Sequence, residues 1–418
     1  MIYKQFQDLK LSALGMGCMR FPLCEDRKEV DMEATKKLIA YAFEKGINYF
    51  DTAWGYHAGK SELVMGEILK EYPRDRFYLA TKFPGYDLSN MNKIKEIFEE
   101  QLRKCQVEYF DFYLFHNVCE TNIDAYLNPE YGILEYLLEQ KKNGRIRHLG
   151  FSTHGTLETM KRFLDAYGEH MEFCQIQLNW LDWKMQNAKA KVEMLAEYNL
   201  PVWVMEPVRG GKLANIEEEY EAQLKEFRPQ ATVVEWAFRF LQSIEGVTMV
   251  LSGMSNMEQL QQNIATYETE KPLNDAEFAA IMDIADAMIA KNNVPCTGCS
   301  YCVEHCPMSI PIPEVIKLYN ALSDGGTEKP ATPGPADCVA CGKCKFVCPQ
   351  GIDIPKVMAD FAAKLDKPLA AFIQIYKPAY FERIGLRYVN FISRKALGLE
   401  ATPYRELIAG KYLGVMAD

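Results

Sequence analysis

An α/β fold is predicted for this chain: a (β/α)8 TIM barrel, then a small and mainly helical module, then a tail. Three observations predict it. Eight short apolar runs recur through the first two thirds of the sequence, each followed by a stretch with the 3.6-residue beat of an amphipathic helix. The runs are continuously apolar rather than alternating, as strands of a parallel sheet are when both faces are covered. Near residue 292 the composition turns to cysteine, proline and glycine. The expected boundaries are residues 1–285 for the barrel, 286–360 for the cysteine-rich module and 361–418 for the tail.

The elements follow in order. A hairpin is expected over residues 3–14, and the first barrel run covers 11–19. The helix after it, near 33–45, puts Leu38, Ile39, Ala42 and Phe43 on one face and stops at Gly46. Runs at 49–53, 77–83, 110–116, 148–153, 173–179, 202–206 and 247–252 complete the set of eight. Helices are expected from about residue 61, near 92–105, 133–142, 157–166, 188–198 and 233–241, and from residue 257. A doubly wound dinucleotide fold is the rival. Gly15-Met-Gly17-Cys-Met-Arg20 lacks its third small residue, and Trp54 stands where a phosphate-binding loop ending in Gly59-Lys-Ser61 needs glycine.

Lys and Arg number 47 against 57 Asp and Glu, a formal charge of −10, which argues against a nucleic-acid partner. No run approaches the roughly 18 apolar residues of a membrane helix, and the first ten residues lack the apolar core of a signal peptide. A cytoplasmic location is expected. Thirteen cysteines are too many for that compartment to hold as disulfides. Five are scattered (Cys18, Cys24, Cys105, Cys119 and Cys174), and eight crowd between Cys296 and Cys348.

Four polar side chains fall at or just past the ends of the second, third and fourth runs. They are Asp51 and Tyr56 in Asp51-Thr-Ala-Trp-Gly-Tyr56, Lys82 in Ala80-Thr-Lys-Phe83, and His116 in Leu114-Phe-His116. In a barrel those ends are neighbours on one rim, where chemistry sits. A lysine beside a tyrosine favours the phenolate, and a carboxylate keeps the lysine charged. The phenol can then give a proton to a developing alkoxide, with the histidine holding the carbonyl oxygen.

At these residues the chain resembles the aldo-keto reductases, whose Asp–Tyr–Lys–His tetrad Asp51, Tyr56, Lys82 and His116 match one for one. The resemblance covers about residues 1–273 and includes Gly59-Lys-Ser-Glu62. It implies an NAD(P)(H) cofactor across the rim and a small carbonyl or alcohol substrate. It places Ser152 and Gln175 at the carboxamide, and Gly253, Gln259 and Asn263 toward the adenosine end, where helix-terminal amides suit a phosphate. There are departures. Thr153 stands where an asparagine is usual, and Met205 stands where an aromatic ring stacks on the nicotinamide. No lysine or arginine lies between Gly253 and Asn263, which tilts the expectation toward NAD.

The second signal is Cys296-x2-Cys299-x2-Cys302-x3-Cys306-Pro307 and Cys338-x2-Cys341-x2-Cys344-x3-Cys348-Pro349. Paired C-x2-C runs alone suit zinc. A third cysteine at the same interval and a fourth before proline match the bacterial ferredoxin run and point to two [4Fe-4S] clusters. The fourth cysteine of each such run serves the other cluster. One set is therefore Cys296, Cys299, Cys302 and Cys348, and the other is Cys338, Cys341, Cys344 and Cys306. Residues 312–322, between the runs, have helical character.

Hydride transfer moves two electrons and a cubane takes one, so coupling them calls for a flavin or similar converter. No flavin motif is present: either an external flavoprotein or ferredoxin partner docks, or the barrel holds something other than a plain nicotinamide, a flavin included, or the clusters are structural. Two readings stand beside this redox enzyme. One is a sensor or electron-carrier subunit with the barrel as scaffold. The other is a plain carbonyl reductase whose clusters only fix the tail, so that iron chelation spares turnover. The tail, rich in Tyr, Phe, Ile and Leu, is expected to dock on the body or on a second subunit.

Overall fold

Eight strands close into a parallel barrel in the order the runs occur. The computed structural model describes residues 1–25, 29–291, 293–323, 328 and 330–375. A hairpin of β1 (Tyr3–Phe6) and β2 (Leu9–Ser12) precedes β3 (Leu14–Gly17), β4 (Tyr49–Asp51), β5 (Tyr78–Phe83) and β6 (Phe110–Val118). The barrel continues through β7 (Ile146–Thr153), β8 (Cys174–Gln177), β9 (Val202–Met205) and β10 (Val247–Ser252), which pairs with β3 to close it. Six of the eight expected runs contain their strands, while β6 runs on past its expected end to Val118 and β7 begins before its expected start, at Ile146. The strands are mostly shorter than the runs, because the run ends turn into rim loops.

Alternation along the strands fills the barrel. Tyr49, Ala80, Phe112, Leu114, Phe173, Trp203, Met249 and Leu251 form one buried inner cluster, and Phe6 and Leu11 of the hairpin join it. The Phe6 ring lies 5.0 Å from Trp203 and 5.7 Å from Phe112, so the hairpin plugs the barrel floor. Gly15 belongs to the same inner column. A Cβ there would come within 2.7 Å of Leu251 and 2.9 Å of Met249. The outer strand faces meet the helices in a second, larger core that includes Ile39, Phe50, Met65, Phe98, Tyr113 and Phe163.

Two barrel helices were not expected from the periodicity. Glu218–Phe227 buries only Tyr220 and Leu224, an apolar stripe too thin to register. Asp275–Ala290 begins with a full capping box between Asn274 and Glu277.

The chain divides into two compact units. One is Met1–His305 with Lys343–Ile352, and the other is Cys306–Gly342 with the described residues from Asp353 onward. The second unit holds the helix Ile312–Ser323, expected from the sequence, and a longer one, Ile354–Ile375. Within it the Tyr319 ring meets Phe361 edge-on at 5.6 Å, and Lys364 donates to the Tyr319 hydroxyl at 3.0 Å. The expected docking tail lies, beyond Ile375, outside the described residues. Among the described residues no helix is long and apolar enough to cross a membrane.

Candidate functional site

Side-chain parity builds the site. Two residues beyond each inward-facing position, the next inward position lies at the C-terminal rim. From Gly15, Tyr49, Ala80, Leu114, Gly150, Phe173, Trp203 and Leu251 this step leads to Gly17, Asp51, Lys82, His116, Ser152, Gln175, Met205 and Gly253. All eight line one cavity of about 350 Å³, one from each strand or its end. Tyr56, Gln259 and Asn263 line it as well. The structure therefore gathers all ten rim residues singled out in the sequence.

Lys82 is 1% exposed. Its ammonium lies 2.5 Å from Asp51 Oδ1, donates to the Thr52 carbonyl at 2.9 Å and reaches the Tyr56 hydroxyl at 3.4 Å. Burial pushes the Asp51 carboxyl up, against the pull of Lys82. Burial also raises the Tyr56 phenol well above its ordinary value, and the Asp51 charge raises it further. The phenolate expected from the sequence is thus opposed by burial and by Asp51. The Lys82 charge is engaged by Asp51, and Tyr56 keeps its proton. His116 is held well below the ordinary imidazole value by burial first, then by Lys82 and His154, so it is neutral. Its ring stands 6.1 Å from that of Tyr56.

The rest of the motif is scaffolding. Ser61 donates to the Cys18 carbonyl and meets the Thr52 hydroxyl, both at 2.8 Å, which fixes the loop that carries Tyr56. Glu62 is fully buried and accepts from Thr81 and Gln101 at 2.7 Å each. Thr153 donates to the Val118 carbonyl at 2.7 Å, tying two rim loops together.

Several buried polar atoms have no partner within the described residues: Asp51 Oδ2, His116 Nδ1, His154 Nδ1, Gln175 Oε1 and Glu206 Oε2. All five residues line the cavity. A free Gln175 oxygen beside Ser152 suits the amide of a nicotinamide, so the residues present fit that group. The cation absent from the stretch 253–263 arrives from elsewhere. Arg20 lies over Gly253, with its Cβ 3.1 Å from where a Cβ on that glycine would stand, and it lines the cavity.

His154, Glu206 and Tyr301 are cavity residues that sequence reasoning missed. The Glu206 carboxyl, pushed up to about 7 by burial and then by Asp182, sits on a left-handed backbone (φ 55°). Of the loop aromatics, Trp180 is fully buried in the outer core and Trp183 packs on Phe240 at 5.8 Å.

Cys299 also lines this cavity. The loop around it turns at Gly298 (φ 69°) and Ser300 (φ 67°). The first cysteine set, Cys296, Cys299, Cys302 and Cys348, lies wholly within the first compact unit. Its members are near enough to raise one another's thiol pKa: Cys348 and Cys296 act on Cys299, and Cys299, Cys296 and Cys348 act on Cys302, in each case after burial. Backbone N–H groups oppose the rise, from Tyr301 at Cys299 and from Gln350, Gly351 and Ile352 at Cys348. Among the described residues no three ligand side chains converge as those of a single ion would. All-thiol donors backed by amides fit the wider cage of a cubane. Of the second set, Cys344 belongs to the first unit, and Cys306, Cys338 and Cys341 belong to the second.

The second cysteine run also joins the barrel. Gln350 donates to Gln177 at 2.7 Å and accepts from Gln186 at 2.8 Å and Arg209 at 3.3 Å. Arg209 pairs with both oxygens of Asp182 at 3.0 Å, and both residues are buried.

The chain matches the model of the aldo/keto reductase family over residues 13–286 and that of a 4Fe-4S dicluster domain over residues 295–352. Probable aldo-keto reductase 1 of Glycine max is 28% identical over 213 residues, which are 49% of this chain and 58% of that protein. An NADH-specific methylglyoxal reductase of Escherichia coli (strain K12) is 23% identical over 67% of this chain and 97% of its own length. Among solved structures, the holo form of an aldo-keto reductase from Bacillus halodurans superposes with a TM-score of 0.56 at 26% identity, covering 68% of this chain and 96% of its own. On the fold, the gathered rim and the match over most of its length, the chain belongs to the aldo/keto reductase family.

Proposed function

We propose that the barrel interconverts a small carbonyl compound and its alcohol with a nicotinamide cofactor, and that two [4Fe-4S] clusters exchange single electrons with that site. One observation carries the reading. Eight strands or their ends each send at least one residue, Lys82 among them, into a cavity that Tyr56 and Cys299 also line. A scaffold would have no use for five buried polar atoms without partners, since each costs about 1–3 kcal/mol.

The bound nicotinamide would supply or accept the hydride. Ser152 and Gln175 would hold its carboxamide, Met205 would face its ring, and Gly253, Gln259, Asn263 and Arg20 would flank its phosphates. Tyr56, protonated in this environment, gives its proton to the oxygen of the carbonyl being reduced. Lys82, held by Asp51, steadies the charge left on the phenol. His116, neutral, donates a hydrogen bond to the same oxygen and so fixes the carbonyl beside Tyr56. The clusters would supply one-electron chemistry, with Cys296, Cys299, Cys302 and Cys348 holding one and Cys338, Cys341, Cys344 and Cys306 the other. A docked flavoprotein that converts two-electron to one-electron steps, with a ferredoxin as a further one-electron partner, completes the scheme, and we place the protein in the cytoplasm.

Anaerobic reduction by NADH or NADPH, followed by EPR and visible absorption, tests this reading. Cluster signals are expected from the nucleotide once a flavoprotein is supplied as converter, and signals from the nucleotide alone would mean that the barrel itself holds the converter. Clusters reducible only by dithionite, with aldehyde turnover intact, would leave a plain carbonyl reductase and end the relay. A protein that turns over no carbonyl compound and takes no electrons from either nucleotide would end the hydride reading too.

A further inference from the structure

Tyr301 faces two cavities. It lines the reaction cavity and also a smaller one of about 60 Å³, and only His116 and His154 share that double exposure. The smaller cavity is built from two sources within the first compact unit. Asn117, Thr121 and His154 come from the barrel rim, and Glu304, His305 and Phe346 come from the cysteine runs. The last three are exposed, so they form its mouth. Tyr301 shares the larger lining with Tyr56 and Glu206 and the smaller one with Tyr86, and its hydroxyl meets the Met19 sulfur at 4.0 Å.

We propose that Tyr301 is a specificity-determining residue. On this reading it partitions the reaction cavity from a hydroxyl-binding subsite that the barrel rim and the cysteine runs build together. The proposal rests on the carbonyl reading above for the reaction but not for the binding. The chemistry of the lining selects the ligand. Asn117, Thr121 and the neutral His154 offer uncharged donors and acceptors. Glu304 stands at the mouth with no lysine or arginine in the lining, so an anionic tail is disfavoured. The volume holds about two water-sized groups. That suits the hydroxymethyl end of a small hydroxyaldehyde or hydroxyketone, not a longer polyol chain. Truncating the Tyr301 ring joins the two spaces and admits the longer chain.

Two readouts test this with the iron-loaded, full-length protein. Calorimetry measures the dissociation constants of glycerol and xylitol, which need no hydride. Steady-state kinetics measure kcat/KM for glyceraldehyde, butyraldehyde, succinic semialdehyde and xylose. Wild type is expected to favour glyceraldehyde over butyraldehyde and succinic semialdehyde by about tenfold or more, the discrimination a lost polar contact gives. In Tyr301→Ala the xylitol-to-glycerol affinity ratio and the xylose-to-glyceraldehyde kcat/KM ratio should each rise by about tenfold. Tyr301→Phe, which keeps the ring, should leave both ratios alone. Iron content and the EPR spectrum identify any variant that has lost its cluster. Unchanged ratios in an iron-replete Tyr301→Ala protein overturn the partition. A shift in polyol affinity in a protein that reduces no aldehyde keeps the subsite and overturns the carbonyl reading instead.

Discussion

Asp51 and Lys82 stand 2.5 Å apart in the barrel mouth, and that contact decides which proton Tyr56 keeps. Burial and the Asp51 charge hold the phenol well above 10, while burial and Lys82 hold His116 well below 6.5. Neither group titrates in between. The maximal rate of carbonyl reduction is therefore expected to be flat from about pH 8, above the Glu206 carboxyl at about 7, to about pH 10, and a falling limb within that range would mean that Lys82 draws the phenol down after all. The same depression has a stability side. An unfolded His116 takes up a proton below its ordinary value of 6.5 and the folded one does not, so the stability is whole above that value and falls as the pH drops below it. Asp51, Lys82 and His116 could be singled out in the sequence because each falls at or near the end of an apolar run, and Tyr56 because it follows Asp51 in the same motif. Tyr301 and Glu206 were not legible. Nothing in a linear string says that a cysteine loop some 90 residues after β9 folds back to donate to Glu206, as Thr297 does at 3.4 Å.

The turn after β9 is the element that joins the two chemistries. Arg209, Gly210 and Gly211 are consecutive left-handed residues, and a Cβ on Gly210 would stand 2.0 Å from the Thr297 carbonyl oxygen. Only glycine allows that approach. Arg209 fixes the turn by pairing with Asp182, and both are at most 1% exposed. Removing one member of a buried pair strands the other charge, at about 3–5 kcal/mol. Arg209→Met should therefore lower the thermal midpoint of the iron-loaded protein by many degrees, and adding Asp182→Asn should recover part of the loss. Equal midpoints for the single and double variants would show that the loss is one of packing and not of charge. Sequence periodicity found the barrel helices with wide apolar stripes and passed over Glu218–Phe227, which buries two side chains. It also passed over Asp275–Ala290, although the Asn274–Glu277 box was there to be read.

At the scale of the molecule the question is whether iron matters to the barrel when it carries no electrons. The sequence suggested a version in which it would not, with clusters that only fix the tail and chelation that spares turnover. The structure argues otherwise for the first cysteine set. Cys296, Cys299 and Cys302 bracket the stretch 297–301, and that stretch is a wall of the reaction cavity: Cys299 and Tyr301 line it, and Thr297 packs on the turn after β9. A cluster on the proposed set would tie Cys296, Cys299 and Cys302 to Cys348, which lies two residues from Gln350 and its contacts to Gln177, Gln186 and Arg209. Without it, the four sulfurs have no common centre to bind them together. The wall is then held by its barrel contacts alone. Anaerobic removal of the iron should therefore raise KM for carbonyl substrates by about tenfold or more, with a smaller change in nucleotide affinity, because Ser152, Gln175 and Gly253 stand on the strands and their ends. Restoring iron and sulfide should reverse the change. An iron-free protein with its KM unaltered would mean that the barrel holds the 297–301 wall by itself, and the case for iron as a structural determinant of the substrate site would fail.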